Sequence, residues 1–206
     1  MGTGSDPAIA LQGLLMMLSL IVAIGAQNTF LLRQGLQHSP ITPLVLICWL
    51  SDCILVIIGV SGLGAVVEHV PYAMTVVRWC GGAVLLGYAA LAIRRVIRGE
   101  TLELSERRER RSLWSASLTC LAITWLNPHV YLDTVLMIGA VANAHGSPGR
   151  WWFAAGSLVG SIGWFAALGY GARLLRPLFR RRRSWRILDS LIALIMIITA
   201  VKLILG

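Results

Sequence analysis

Charge is scarce in this chain: Asp, Glu, Lys and Arg make up 13% of the 206 residues, while 57% are hydrophobic. Soluble domains carry about 25% charged residues, so an ordinary soluble domain is excluded. Also missing are a zinc-protease HExxH, a Walker loop, a dinucleotide fingerprint and any nucleophile motif. Without such a constellation an enzyme is not expected, nor is a cofactor. Without a nucleotide-binding unit, uphill transport would have to draw on an ion gradient or on the solute's own gradient. Short alternating segments of about ten residues, which a β-barrel needs, are absent too. The first apolar run lacks a basic leader and a small-residue cleavage site, so it reads as part of the mature protein. Cys48, Cys53, Cys80 and Cys120 all lie inside apolar runs without metal-type spacing and read as small buried hydrophobes.

What is present is a series of long apolar runs at 8–32, 41–66, 72–97, 113–140, 151–175 and 186–205. A bilayer core about 30 Å thick takes roughly 20 apolar residues per helical span, and helices satisfy their own backbone hydrogen bonds where lipid cannot. The expected fold is an all-α polytopic membrane protein with six transmembrane helices. The net charge of +9 would suit a nucleic acid, but fifteen of the eighteen Lys and Arg residues fall on one side of these spans. That pattern sets topology, not nucleic-acid binding, and it places the basic loops in the cytoplasm and both termini outside. The run Arg180 to Arg183 reads as an anchor touching anionic lipid. Trp114, Trp151, Trp152 and Trp185 read as interfacial anchors at span ends. The 98–112 loop, with Glu100, Glu103, Glu106 and Glu109 among arginines, predicts a short surface helix.

The two halves echo one another. Asn28 lies late in the first run and Asn127 late in the fourth, predicting one transmembrane domain over 1–206 built from repeats at about 8–97 and 113–205. Two tandem three-span units have opposite orientations, so the halves would form two inverted three-helix repeats with a site near the midplane.

Several residues in the runs carry chemistry. Gly25-Ala26-Gln27-Asn28-Thr29 interrupts the first run and Leu126-Asn127-Pro128-His129 the fourth. Pro128 removes a backbone donor and predicts a break that frees carbonyls near Ile123 and Thr124. Asp52 lies mid-run, roughly 16 Å along its helix, a depth at which a carboxylate must face a partner or water. Arg78, at similar depth in the third run, is the expected partner, and the pair is either purely structural or broken by a cationic substrate. His129 and Asp133, at i and i+4, share a face and suit a proton relay or cation site. They could also hold a divalent metal, although two ligands are too few. Asp189 follows the arginine run and reads as a local salt bridge, and Gly156-xxx-Gly160 as close helix packing.

Gly25 to Leu36, Ser51-Asp52, and Thr124-Trp125-Leu126-Asn127-Pro128-His129-Val130-Tyr131-Leu132-Asp133-Thr134 closely resemble the L-lysine exporter (LysE) family, in its lysine/arginine exporter branch. The resemblance covers essentially the whole chain. It implies a bacterial inner-membrane secondary exporter of L-lysine and L-arginine, driven by the membrane potential or a proton gradient. Superfamily members that export neutral amino acids carry prolines where this chain has Ala26-Gln27. On this reading Asp52 and Asp133 meet the substrate cation or a coupling proton. Gln27, Asn28, Asn127 and His129 complete the substrate site, with Arg78 and Pro128 in gating. No resident metal is expected, and a homodimer is an expected assembly. A divalent-metal exporter using His129, Asp133 and Asp52 is the alternative.

Overall fold

The computed structural model describes residues 7–23, 25–37, 40–62, 71–98, 113–179 and 182–205, and among these every regular element is helical. In chain order they are α1 (Pro7–Ile21), α2 (Ala26–Leu36), α3 (Ile41–Val60), α4 (Pro71–Arg98), α5 (Leu113–Trp125) and α6 (Pro128–Val130). A π-helical segment (Tyr131–Ile138) then leads to α7 (Gly139–Ala144), α8 (Gly146–Gly171), a 3-10 segment (Ala172–Phe179) and α9 (Arg182–Leu205). The expected surface helix at 98–112, like Arg180 and Arg181, lies outside the described residues except for Arg98 at the end of α4.

Helices α3, α4, α8 and α9 are each long and apolar enough to cross a membrane. Their outer faces carry lipid-type stripes. Leu46, Leu50, Ile54 and Ile57 are exposed along α3, and Ile187, Leu191, Leu194 and Ile198 along α9, each at helical spacing. Water would not tolerate apolar faces of that extent on a monomer, and the chain is a multi-pass membrane protein.

The first and fourth apolar runs are not single helices; both are broken where their polar interruptions fall. α1 ends at Ile21 and α2 departs at 84° to it. Gly25, extended at φ −112° and ψ −177°, starts α2. The Asn28 side-chain amide donates back to the carbonyls of Ile21 (2.5 Å) and Ala23 (2.9 Å), satisfying the end of α1. In the fourth run α5 stops at Trp125, and Pro128 sits at the first turn of α6, where its missing N–H costs nothing. Asn127 caps that helix by accepting from the His129 N–H at 3.2 Å.

Packing follows a regular scheme. α1 lies parallel to α8, with Ala10 against Gly156, Gly13 against Phe153 and Leu14 against Gly160. The fourth run lies parallel to α3, with Cys120 beside Cys48, Trp125 bonded to Ser51, and Val135 and Gly139 against Gly59. α3 and α8 run antiparallel through Ile41–Gly169, Trp49–Leu158 and Asp52–Ser161. α4 and α9 are antiparallel through Gly81–Leu203 and Arg95–Asp189. A Cβ at Gly156 would meet the Ala10 carbonyl and one at Gly13 the Phe153 carbonyl, so these glycines let two backbones touch.

Two anchoring readings need revision. Trp114, Trp151 and Trp152 are exposed, but Trp185 is buried with its ring edge-on to Phe179 at 6.0 Å. Of the cysteines, Cys48 and Cys120 are buried, Cys53 is half-buried and Cys80 is exposed on α4.

Candidate functional site

Both helix breaks open onto one cavity of about 210 Å³. At roughly 30 Å³ per water in the liquid, that is the space of about seven waters. Drug-sized pockets run to about 300–1,000 Å³, so this volume suits a single small solute. Gln27 and Asn28 reach it from the first break, Asp52 from α3, and Asn127, His129 and Asp133 from the second break and the π segment. The six residues singled out in the sequence as a substrate site therefore share one wall-to-wall space. Arg78 and Pro128 are not among the residues that line it.

Each polar group is held by its own element. Asp52, 4% exposed, accepts a 2.6 Å hydrogen bond from the Ser161 hydroxyl of α8. Asn28 is anchored at both ends, its amide donating to the end of α1 and its oxygen accepting from Trp164 Nε1 at 3.3 Å. Gln27 lies beside Cys48, and its buried Nε2 has no hydrogen-bond partner of ordinary geometry. Asp133 is half-buried and His129 exposed. Their side chains make no hydrogen bond or ion pair among the described residues.

The cavity is electrostatically one-sided. Two carboxylates face it, and no lysine or arginine is among the residues lining it. In a low-dielectric wall such a pair calls for a cation. The opposite charge has one further source there, the N-terminus of α2, whose cap residue Gly25 offers no side-chain cap. The open N–H groups of the first turn of α2 favour an anion, whereas the α6 end is already closed by Asn127. One small space thus offers carboxylates for a cation and the α2 end for a carboxylate. Among the described residues no group of three or more His, Cys, Asp or Glu side chains converges as a metal site would require.

Three expectations about these residues are corrected. Asp52 does not pair with Arg78 among the described residues; its partner is neutral Ser161, because α8 and not α4 packs against that face of α3. The buried ion pair belongs to Asp189, and it is not local. Asp189 Oδ1 accepts from Arg33 Nε of α2 at 3.2 Å and from Arg95 Nε of α4 at 3.1 Å. The break at Pro128 does not leave the Thr124 carbonyl idle, since it accepts from the Asn127 N–H at 3.4 Å, while the Trp125 carbonyl accepts from Tyr131 Oη at 2.7 Å. The π-helical stretch that carries Asp133 went unforeseen. Such segments recur at functional sites, but no residue pattern in Tyr131–Ile138 marks one.

The family model described as LysE type translocator matches residues 18–206. The chain belongs to that family. Rv0488 of Mycobacterium tuberculosis (strain ATCC 25618 / H37Rv), provisionally named an amino-acid transporter, is 44% identical over 185 residues, covering 90% of this chain and 91% of the relative. The protein named Lysine exporter LysE in Corynebacterium diphtheriae (strain ATCC 700971 / NCTC 13129 / Biotype gravis) is 36% identical over 96% of this chain and 99% of its own length. Arginine exporter protein ArgO of Enterobacter sp. (strain 638) is 34% identical over 93% and 91% respectively. No solved structure matches this LysE-type chain.

Proposed function

We propose that this LysE-type protein is a secondary exporter of basic amino acids, L-lysine and L-arginine, in the bacterial inner membrane. The observation that carries the reading is the cavity with Asp52 and Asp133 on its wall and no lysine or arginine lining it. Relatives named as lysine and arginine exporters agree with it. The carboxylates hold the side-chain cation, as buried anions do for guanidinium or ammonium groups in membranes. Gln27, Asn28, Asn127 and the N-terminus of α2 receive the α-amino and α-carboxylate groups, while His129 stands exposed beside Asp133 as a proton relay. The arginine-rich side faces the cytoplasm, in line with the charge bias of the loops.

The transport cycle is alternating access between two inverted three-helix units, residues about 8–97 and 113–205, driven by the membrane potential or a proton gradient. Its support is the packing scheme. Each half begins with a broken run that lies parallel to the second helix of the other half, α1 on α8 and α5 to α7 on α3. The second helices pair antiparallel with each other, as do the third. A two-fold axis in the membrane plane would carry the first two pairings onto each other and each of the last two onto itself. Six crossings follow when both broken runs count as spans.

The test is efflux of preloaded labelled arginine, lysine and leucine from liposomes holding the purified protein, with and without an imposed proton gradient. Saturable efflux of the two basic amino acids and not leucine is expected, with loss in Asp52→Asn. No efflux of any of the three from folded, inserted protein would sink the reading and turn attention to divalent cations.

A further inference from the structure

The cavity lies toward one end of the spans. Its walls lie at the two breaks or beyond them, on the side away from the arginine-rich ends of the spans, as Met17, Thr134 and Thr199 show. Between Asp52 and the arginine-rich end, large buried side chains of the described residues stand in the way. Phe30 meets Tyr88 edge-on at 5.5 Å, and Leu31, Leu36 and Leu44 are fully buried. Past that plug sits the Arg33, Asp189 and Arg95 cluster, with side-chain exposures of 2%, 4% and 13%. Arg33 Nη1 also donates to Gln37 Oε1 at 3.2 Å, and the Arg95 guanidinium lies 5.4 Å from the Tyr88 ring centre.

We infer that the Arg33–Asp189–Arg95 cluster is the gate that seals the arginine-rich end of the solute path. The inference rests on the alternating-access reading above. Three features distinguish a gate from a plain structural pair. First, the cluster ties the two halves together, since α2 and α4 come from the first and α9 from the second. Second, its polar groups are incompletely matched: Arg95 Nη2, Trp185 Nε1 and Tyr88 Oη are buried without hydrogen-bond partners. Buried groups of that kind need an explanation, and an end that periodically admits water supplies one. Third, the opposite end is open where the cluster's counterpart would stand. Arg33 lies five residues past Asn28, and the stretch past Asn127 carries the uncharged Leu132 at that place, with Asp133 next to it lining the cavity. One end is tied and the other open, as alternation demands. Parting the cluster would leave a carboxylate and two guanidiniums facing the entering solute, whose own carboxylate and cation match them.

The test reads exposure at both ends and needs no transport. In a background with the four native cysteines replaced by alanine, a single thiol is introduced by Ala92→Cys, buried in α4 between Tyr88 and Arg95, or by Thr134→Cys in the cavity wall. The purified protein in nanodiscs is then labelled with a hydrophilic maleimide. Asp189→Asn is expected to raise labelling at position 92 by about tenfold or more and to lower it at position 134, as a population shift requires. Arg95→Gln, which keeps the Arg33–Asp189 pair, should move both in the same directions by less, and Asp189→Glu should stay near the parent. Unchanged labelling at both positions, or a rise at both together from general loosening, overturns the gate. Export by the parent protein is measured separately. Reciprocal labelling in a protein that exports nothing keeps the gate and removes the substrate reading, whereas export without reciprocity does the reverse.

Discussion

Asp52 and Asp189 are the same side chain at nearly the same burial, 4% and 3% exposed, yet their surroundings are opposite. Asp189 is shared by two guanidiniums inside packed protein. Asp52 has one neutral hydroxyl and a cavity. A buried carboxylate that is already neutralised holds structure together; one left without a cation is available for something that arrives. Burial alone does not separate the two roles, and the partner does.

The largest expected effect comes from Arg33, 1% exposed. Arg33→Ala removes one arm from the Asp189 pair, and breaking a buried pair costs about 3–5 kcal/mol, to be read as a fall in thermal unfolding temperature. Asp52→Asn should do the reverse of that pattern. Unfolding should stay near the parent, while export falls by at least about thirtyfold, the lower end of the roughly 2–5 kcal/mol lost with one partner of a buried charge contact. A stable Arg33→Ala protein, or an unstable Asp52→Asn protein, would break the comparison.

Ser161→Ala sharpens it further. It strips Asp52 of its hydroxyl donor without touching the charge, at a cost of about 1.5–3 kcal/mol for a hydrogen bond to a charged group. Thermal unfolding and the KM for lysine together would show whether that hydroxyl serves the fold or the orientation of the carboxylate. The smallest effect is expected at the second break. Asn127→Ala removes a helix cap, about 1 kcal/mol, and Pro128→Ala costs still less, because Pro128 stands at a first helical position. A large stability loss at Pro128 would mean that the proline holds the break open by itself.

Much of the cavity could be read in the sequence, because a polar residue in an apolar run is conspicuous against its background. Asp52, Asn28 and Asn127 stand out in that way. The helical class and the boundaries of α4 and α9 follow from hydropathy alone. What could not be read was pairing. Arg33 and Asp189 lie 156 positions apart, and an arginine at the end of an apolar run looks the same whether it touches lipid headgroups or a buried carboxylate. Arg78 was matched to Asp52 by depth, but depth does not say which helix is the neighbour. Gly25 and Pro128 announced interruptions, though not that α1 would end at Ile21 with the Asn28 amide closing it.

The glycine contacts have a mechanical consequence. Where Gly13 and Gly156 join α1 to α8, and Gly59 and Gly139 join α3 to the fourth run, backbone meets backbone and no side chain is present to slide or re-rotamerise. Each of those pairs moves as one stiff lever. Gly169, by contrast, meets side-chain carbons of Ile41 and Val45 across the α3–α8 seam. On the alternating-access reading proposed above, that seam is where the two levers would turn, and Asp52, hydrogen-bonded across it to Ser161, would change what it can touch with a small rotation.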